Sequence, residues 1–408
     1  MGTKNYNNYS DMITFTRAST GTYLDSDGLL KSAATNTPRV EYDYQGNRLG
    51  LLVEEARTND VTYSEDFTTS WGLTNATIIS GAAVAPDGLN TAFKLVPNVG
   101  LHSYSSIGKA IGSVTSSAYT ITIFAKAAGK TFCALLDAQG NKLVYFNLAS
   151  GTVETVHPLT NSSIQNVGNG WYRLSVTSTV TFRNCFIRVT DSGSSSSVTG
   201  DGISGIYIWG AQVEAGSFPT SYIPTVLSTV TRAADVATIG VGAFGYNAQG
   251  GTVVVTADWY PGSNFLVSNR AALEIGDGGV SERLLIYNHD GFAGRGFMKG
   301  VLFGDQTGSG ARITDDQAKV ALVFADANQA HCVDGGSIDT GSAAMLAGTT
   351  IMKIGPTLRT GHISSIAYYP RRLTDAQIKA LTSPPETPTL SLTFDDSTTS
   401  YLETSIHG

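Results

Sequence analysis

Two stretches of the 408-residue chain gather groups that could contact a sugar within a few positions of one another. The first, DWYPG, joins Asp258 to the rings of Trp259 and Tyr260 ahead of a proline turn. The second, EIGDGGVSERLLIYNHDGFAGRG (residues 274–296), carries Asp277, Arg283, Tyr287, Asn288, His289, Asp290 and Arg295 among glycines, on backbone that reads as loop-rich. Carbohydrate contact needs flat apolar rings for the C–H face of a pyranose and Asp, Asn, Gln or Arg for its hydroxyls. A solvated loop accounts for the same polar residues without any ligand. Among the other aromatics, Trp71 sits in the polar setting TTSWGLTN and is expected to be the best exposed. Trp171, Tyr207 and Trp209 lie in strongly apolar runs, which places them in a core or at a seam between modules.

Catalytic chemistry finds little support. A glycosidase holds two carboxylates roughly 5 to 10 Å apart across a cleft, whereas Glu54-Glu55, Asp315-Asp316 and Asp395-Asp396 are adjacent pairs that an extended backbone points in opposite directions. There is no G-x-S-x-G elbow, no phosphate-binding G-x-x-x-x-G-K-[ST] and no H-E-x-x-H, so no catalytic residue is assigned and no enzyme is expected. The six histidines, His289, His331 and His362 among them, lack metal-ligand spacing. Asp25 and Asp27 in DSDG read as a turn, because the other ligands of a calcium loop are missing. No metal or cofactor is expected. Cys133, Cys185 and Cys332 are odd in number and widely spaced, and the contexts TFCALL and NCFIRV point to buried free thiols. A Cys133–Cys185 bridge, or an intermolecular one, is the alternative.

Composition narrows the class. Charged residues make up 14% of the chain against 41% hydrophobic, with 45 glycines, and Ser, Thr, Asn and Gly fill the gaps between short apolar runs. That is an all-β pattern with many turns. A net charge of −7 and a pI near 5.4 give no basic field for a phosphate backbone, so nucleic acid is not an expected partner. No apolar run of roughly 18 residues and no basic-then-apolar leader is present, so the chain reads as soluble, without membrane insertion, and folded where it is made.

Four segments follow from the patterning. Residues 1–60 read as a small β-rich anchor module of short strands (ITFTRAS, GTYLD) and turns (DSDG, DYQGN), closed by GLLVEEARTN. Residues 61–238 carry short strands at sandwich spacing: YTITIFAKA alternates, KLVYFNLASGTV turns through Ala-Ser-Gly, and GNGWYRLSVTSTV starts at a Gly-Asn-Gly corner. The stretch GIYIWGAQVEAGSFPTSYIPT (residues 205–225) begins apolar on both parities and then alternates, with Gln212 and Glu214 expected to face water before a proline-punctuated linker. Residues 239–383 form a second sandwich with strands GTVVVTADWYP, KVALVFADA and ISSIAYYPRRL. LTDAQIKALTS is its helix, with Thr374 and Gln377 at capping-box spacing and Ile378 and Leu381 as the apolar face. Residues 384–408 are a Pro-rich linker and a carboxy-terminal strand, LSLTF, that needs a partner.

With these stretches in view, the sequence resembles tail-fibre and spike-like proteins of tailed bacteriophages. ITFTRASTGTYLDSDGLLKSAATNTPRVEYD with GLLVEEARTN looks like the segment leading into a carbohydrate-binding-module-like jelly roll in such proteins. SEDFTTSWGLTNAT, APDGLNTAFKLV, GNGWYRLSVT and GDGISGIYIWGAQVEAGSFPTSYIPTVLSTVTRAADVATI follow that jelly roll's course. KVALVFADANQAHCVDGGSIDT with GHISSIAYYPRRLTDAQIKALTS is similar to the closing half of a laminin-G or concanavalin-A-like domain. The resemblance implies tandem antiparallel β-sandwiches, jelly-roll type and then concanavalin-A/laminin-G-like, on a homotrimeric virion surface appendage assembled in the host cytoplasm. Its partners would be a host cell-surface glycan and other virion proteins. The long repetitive β-helix of a fibre depolymerase is missing. A purely structural virion role, as head fibre, decoration protein or tail adaptor, is the rival expectation.

Overall fold

The computed structural model describes residues 12–137, 142–158, 160–257, 270–289, 292–298, 301–303, 318–355 and 361–383. Within them the chain is all-β, with antiparallel sheets in two sandwiches and one α-helix.

The first sandwich is built on two long strands, Ser105–Ala128 and Trp171–Thr190, paired along nearly their whole length. Their register shifts between Ala110 and Gly112 and again between Ser113 and Ser117. Such bulges bend a ribbon, and residues from both halves, Ile107, Ile187 and Val189 on one side and Ile121, Ile123 and Leu174 on the other, share one core. Strand Gly205–Ala215 pairs with Ser105–Ala128, and Ala92–Pro97 and Ala76–Ala83 follow outward. On the other flank lie Phe132–Leu136, Leu143–Asn147 and Thr152–Val156.

Two seven-stranded sheets close the second sandwich around Val253, Val255, Leu273, Leu322 and Phe324. Its strands are the continuous apolar runs expected of a sheet covered on both faces, such as Gly250–Ala257 and Ala318–Ala325. Of the residues read from sequence as an anchor module, three strands join these sheets, while Gly21–Leu24 and Leu30–Ala33 form a hairpin of their own and Arg57–Asn59 pairs with Val230–Arg232. Thr14–Thr16 pairs with Val236–Gly240, and Arg48–Val53 pairs with Gly361–Tyr369, with Val40–Tyr42 outside it. A short alternating strand shows which face it buries but not which edge it joins, so pairing across more than 300 residues is invisible to patterning.

Helix Asp375–Thr382 carries the expected reciprocal cap between Thr374 and Gln377. Its buried stripe is Ile378 and Thr382, not Ile378 and Leu381; Leu381 is 40% exposed. Residues four apart lie one above the other on a helix, and Thr382 Oγ1 makes the position tolerable by donating to Ile378 O at 2.9 Å. The DSDG turn is closed by Asp25 Oδ1, which accepts from the backbone of Asp27 and Leu29. All three cysteines are free and buried, and burial pushes the Cys185 thiol up to about 12. No helix among the described residues is long and apolar enough to cross a membrane.

Candidate functional site

The candidate sugar-contacting residues of the second sandwich are only partly placed. Asp258, Trp259, Tyr260 and Asp290 lie outside the described residues. The 274–296 region, read as loop-rich, is largely a meander of strands Arg270–Gly276, Arg283–His289 and Phe292–Met298. Tyr287, Asn288, His289 and Arg295 are therefore strand residues by backbone, and Leu284 and Ile286, just ahead of them, are core. Glycines and polar residues masked the Leu-Leu-Ile run that fixes this register. Asp277 is exposed at the intervening turn, where its Oδ1 accepts from Gly279 N at 2.7 Å. Arg283 reaches Glu274 at 3.6 Å, and Lys353 reaches the same nearly buried carboxylate at 2.7 Å.

Trp71 is half-buried and its indole is engaged inside the chain. It packs on Phe67 at 4.8 Å, donates to Tyr63 O at 3.2 Å and has Lys109 Nζ over its ring at 5.7 Å.

The seam residues form a compact group. Trp209 and Tyr222 have ring centroids 5.0 Å apart, and Phe124 meets both edge-on at 5.4 and 5.9 Å. Trp171 completes the cluster, and Leu30 of the leading segment packs on it. Both indoles are satisfied, Trp171 by Val84 O and Trp209 by Thr91 Oγ1. Tyr207 packs at the edge of the cluster, with Lys94 Nζ 5.8 Å from its ring. Gly210, at φ 61°, makes this possible: a register shift here turns Trp209 onto the outer face beside Phe124, where a Cβ on residue 210 would come within 2.9 Å of that ring.

Beyond Gly210 the strand departs from expectation. Gln212 and Glu214 are completely buried instead of facing water. Glu214 accepts from Thr220 N at 2.9 Å, Thr220 Oγ1 at 2.6 Å and Gln212 Nε2 at 2.7 Å, so the linker itself covers the polar face of the sheet. Alternation reported the two faces correctly; it could not report that the second one is roofed.

Beside this seam lies a buried ionic hub that sequence reasoning missed. Asp235 pairs with Arg17 at 3.0 Å and Arg39 at 2.5 Å, and Glu54 pairs with Arg39 at 2.8 Å and Arg232 at 3.3 Å. Ser221 donates to Glu54 from both N and Oγ, at 2.7 and 2.5 Å. Glu54 is held down at about 2 by Arg232 and Arg39, which outweigh the upward push of its burial. The signal available in sequence was only a set of isolated charges in apolar settings, spread from residue 17 to residue 235.

In front of the hub, a cleft opens to solvent between the leading segment and the first sandwich. One wall is Leu24, Leu30, Glu41, Tyr42 and Leu49; the other is Phe124, Gln165, Val167 and Arg173; Pro219 to Tyr222 and Glu54 close the back. Glu41 is held by Leu24 N at 3.0 Å and His362 Nε2 at 2.7 Å. Among the described residues, both hydrogen bonds of Arg173 run from Nη2, to Thr220 O at 2.7 Å and Thr122 Oγ1 at 3.2 Å, while its Nε has none. Aliphatic surface, rings and a few fixed polar groups of both signs thus converge, the chemistry of a small polar ligand with an apolar face.

No protein-family model and no curated protein matches the sequence. Among solved structures, the chain is similar to the CBM40 module of the Ruminococcus gnavus IT-sialidase bound to alpha2,3 sialyllactose. That match has 16% identity over 35% of this chain and 86% of the module, with a TM-score of 0.28. Trypanosoma rangeli sialidase in complex with the inhibitor DANA matches at 14% identity over 71% of this chain and 47% of the sialidase, TM-score 0.29. Domains LG4-5 of the mouse laminin alpha1 chain match at 10% identity over 64% and 88%, TM-score 0.23. At these values the likeness is one of β architecture, and the assignment to tandem sandwiches rests on the strand pairings above.

Proposed function

We propose that the protein is a non-catalytic glycan-binding component of a bacteriophage fibre or spike, which attaches the particle to host-surface carbohydrate. The observation that supports binding most is the cleft in which Tyr42, Gln165, Arg173 and Glu41 meet over aliphatic walls. The resemblance in the leading segment and first sandwich supports the virion setting. Affinity per site would be weak, and a homotrimer present in many copies would make adhesion effective through avidity. Binding of the purified full chain to a glycan array and to host cells tests this, with mass in solution measured alongside. Folded protein that binds neither would end the proposal.

A structural virion role is the second reading, and it has its own observation. Val99, Leu101 and Ile203 are 76%, 77% and 74% exposed around the small sheet formed by Gly100–His102 and Val198–Gly200. Aliphatic side chains this open suit contact with another subunit.

A further inference from the structure

The cleft carries two formal carboxylates, Glu41 and Glu54, against the single guanidinium of Arg173. Arg39 and Arg232 neutralise Glu54 from behind, which leaves one charge of each sign at the cleft, Glu41 and Arg173. The chain as a whole carries −7. The lining offers an anionic sugar no net positive charge and the whole molecule opposes it, so the electrostatics favour an uncharged one. Donor and acceptor stand on opposite walls: Arg173 Nη1 has no hydrogen-bond partner among the described residues, and Glu41 accepts. Gln165 pairs directly across from Arg173 on the neighbouring strand and is exposed, with no partner for its amide among the described residues. Tyr42 and the leucines offer the apolar surface between them.

We infer that this cleft takes one neutral hexopyranose residue of a larger glycan, its C–H face against Tyr42 and the leucines and its hydroxyls shared between Arg173, Gln165 and Glu41. The inference rests on the glycan-binding proposal above and names the sugar class for it. The two walls belong to different sandwiches. Arg173 stands on a strand of the first, while Glu41 lies in a strand of the second and is bonded to His362 there. A bound sugar therefore bridges the two, and neither half alone makes the site.

The test is saturation-transfer NMR on the full chain with methyl glycosides of glucose, galactose, mannose and N-acetylglucosamine, against glucuronic acid and N-acetylneuraminic acid. At least one neutral glycoside is expected to bind, and Tyr42→Ala and Arg173→Met each to weaken it tenfold or more. Arg173 also holds the linker through Thr220 O, so the exposed Gln165→Ala, read with melting temperature unchanged, keeps the test open; a threefold or greater loss is expected. Asp277→Ala, at the remote turn of the second sandwich, should change nothing. Preference for an acidic sugar, or neutral binding unaltered in both Tyr42→Ala and Gln165→Ala, overturns the inference. The same Tyr42→Ala protein on a glycan array separates the two proposals: undiminished array binding sinks the cleft alone, and no binding by the unmutated chain sinks both.

Discussion

Replacing Asp235 with asparagine keeps the shape of the ionic hub but removes one of its two carboxylates. Three guanidinium groups, Arg17, Arg39 and Arg232, then face Glu54 alone, and the formal charge of the hub rises from +1 to +2. The Asp235 side chain is fully buried and accepts from Arg17, Arg39 and the backbone N of Glu54 at 3.0, 2.5 and 2.9 Å. Breaking a buried pair from one side costs about 3–5 kcal/mol, because the charges left behind are neither hydrated nor paired. Against a typical native stability of about 5–15 kcal/mol that is a large share. Urea denaturation followed by tryptophan fluorescence would report it, since Trp171 and Trp209 are buried in the adjoining seam. The double substitution Arg17→Met with Asp235→Leu removes one charge of each sign and should lie within about 2 kcal/mol of the unmutated protein, because apolar replacement of a buried pair is close to neutral. A loss below about 1 kcal/mol for Asp235→Asn would refute the view that the hub holds the leading segment to the linker.

Three further outcomes follow from the same structure. Glu54 titrates near 2 in the folded state and near 4.5 when unfolded, so its stabilisation is complete above the higher value and is lost as pH falls from 4.5 towards 2. The loss is on the order of 3 kcal/mol and should be absent from the acid limb of Glu54→Gln. His331 is buried with neither ring nitrogen bonded among the described residues, and burial lowers it to about 4. The unfolded chain binds this proton below about 6.5 and the folded one does not, so stability should fall between pH 6.5 and 4, and urea midpoints of His331→Leu should lose that slope. Trp209→Ala should cost about 3–5 kcal/mol in the same assay while leaving sugar affinity of the folded fraction within twofold.

Much of the architecture was legible because period-2 patterning reports local geometry directly. YTITIFAKA placed Ile121, Ile123 and Ala125 on one face, and all three are core. The helix cap was written in Thr374 and Gln377. What patterning could not supply was partnership at long range. Arg48–Val53 joins Gly361–Tyr369, and Gln212 and Glu214 are roofed by the proline-punctuated linker. The candidate cleft was illegible for the same reason. Tyr42, Gln165 and Arg173 sit in separate strands with no motif between them, and only the folded arrangement makes them neighbours. Within the aromatic-dense stretch of residues 205–225, Trp209 and Tyr222 pack ring against ring.

The most direct test of glycan attachment is a side-by-side glycan array with the full chain and its Tyr42→Ala variant, both shown to be folded by melting temperature. Binding to glycans that present a neutral hexose, weakened tenfold or more by the substitution, is the expected result. A folded, unmutated chain that retains no glycan would contradict an attachment role and leave a structural one.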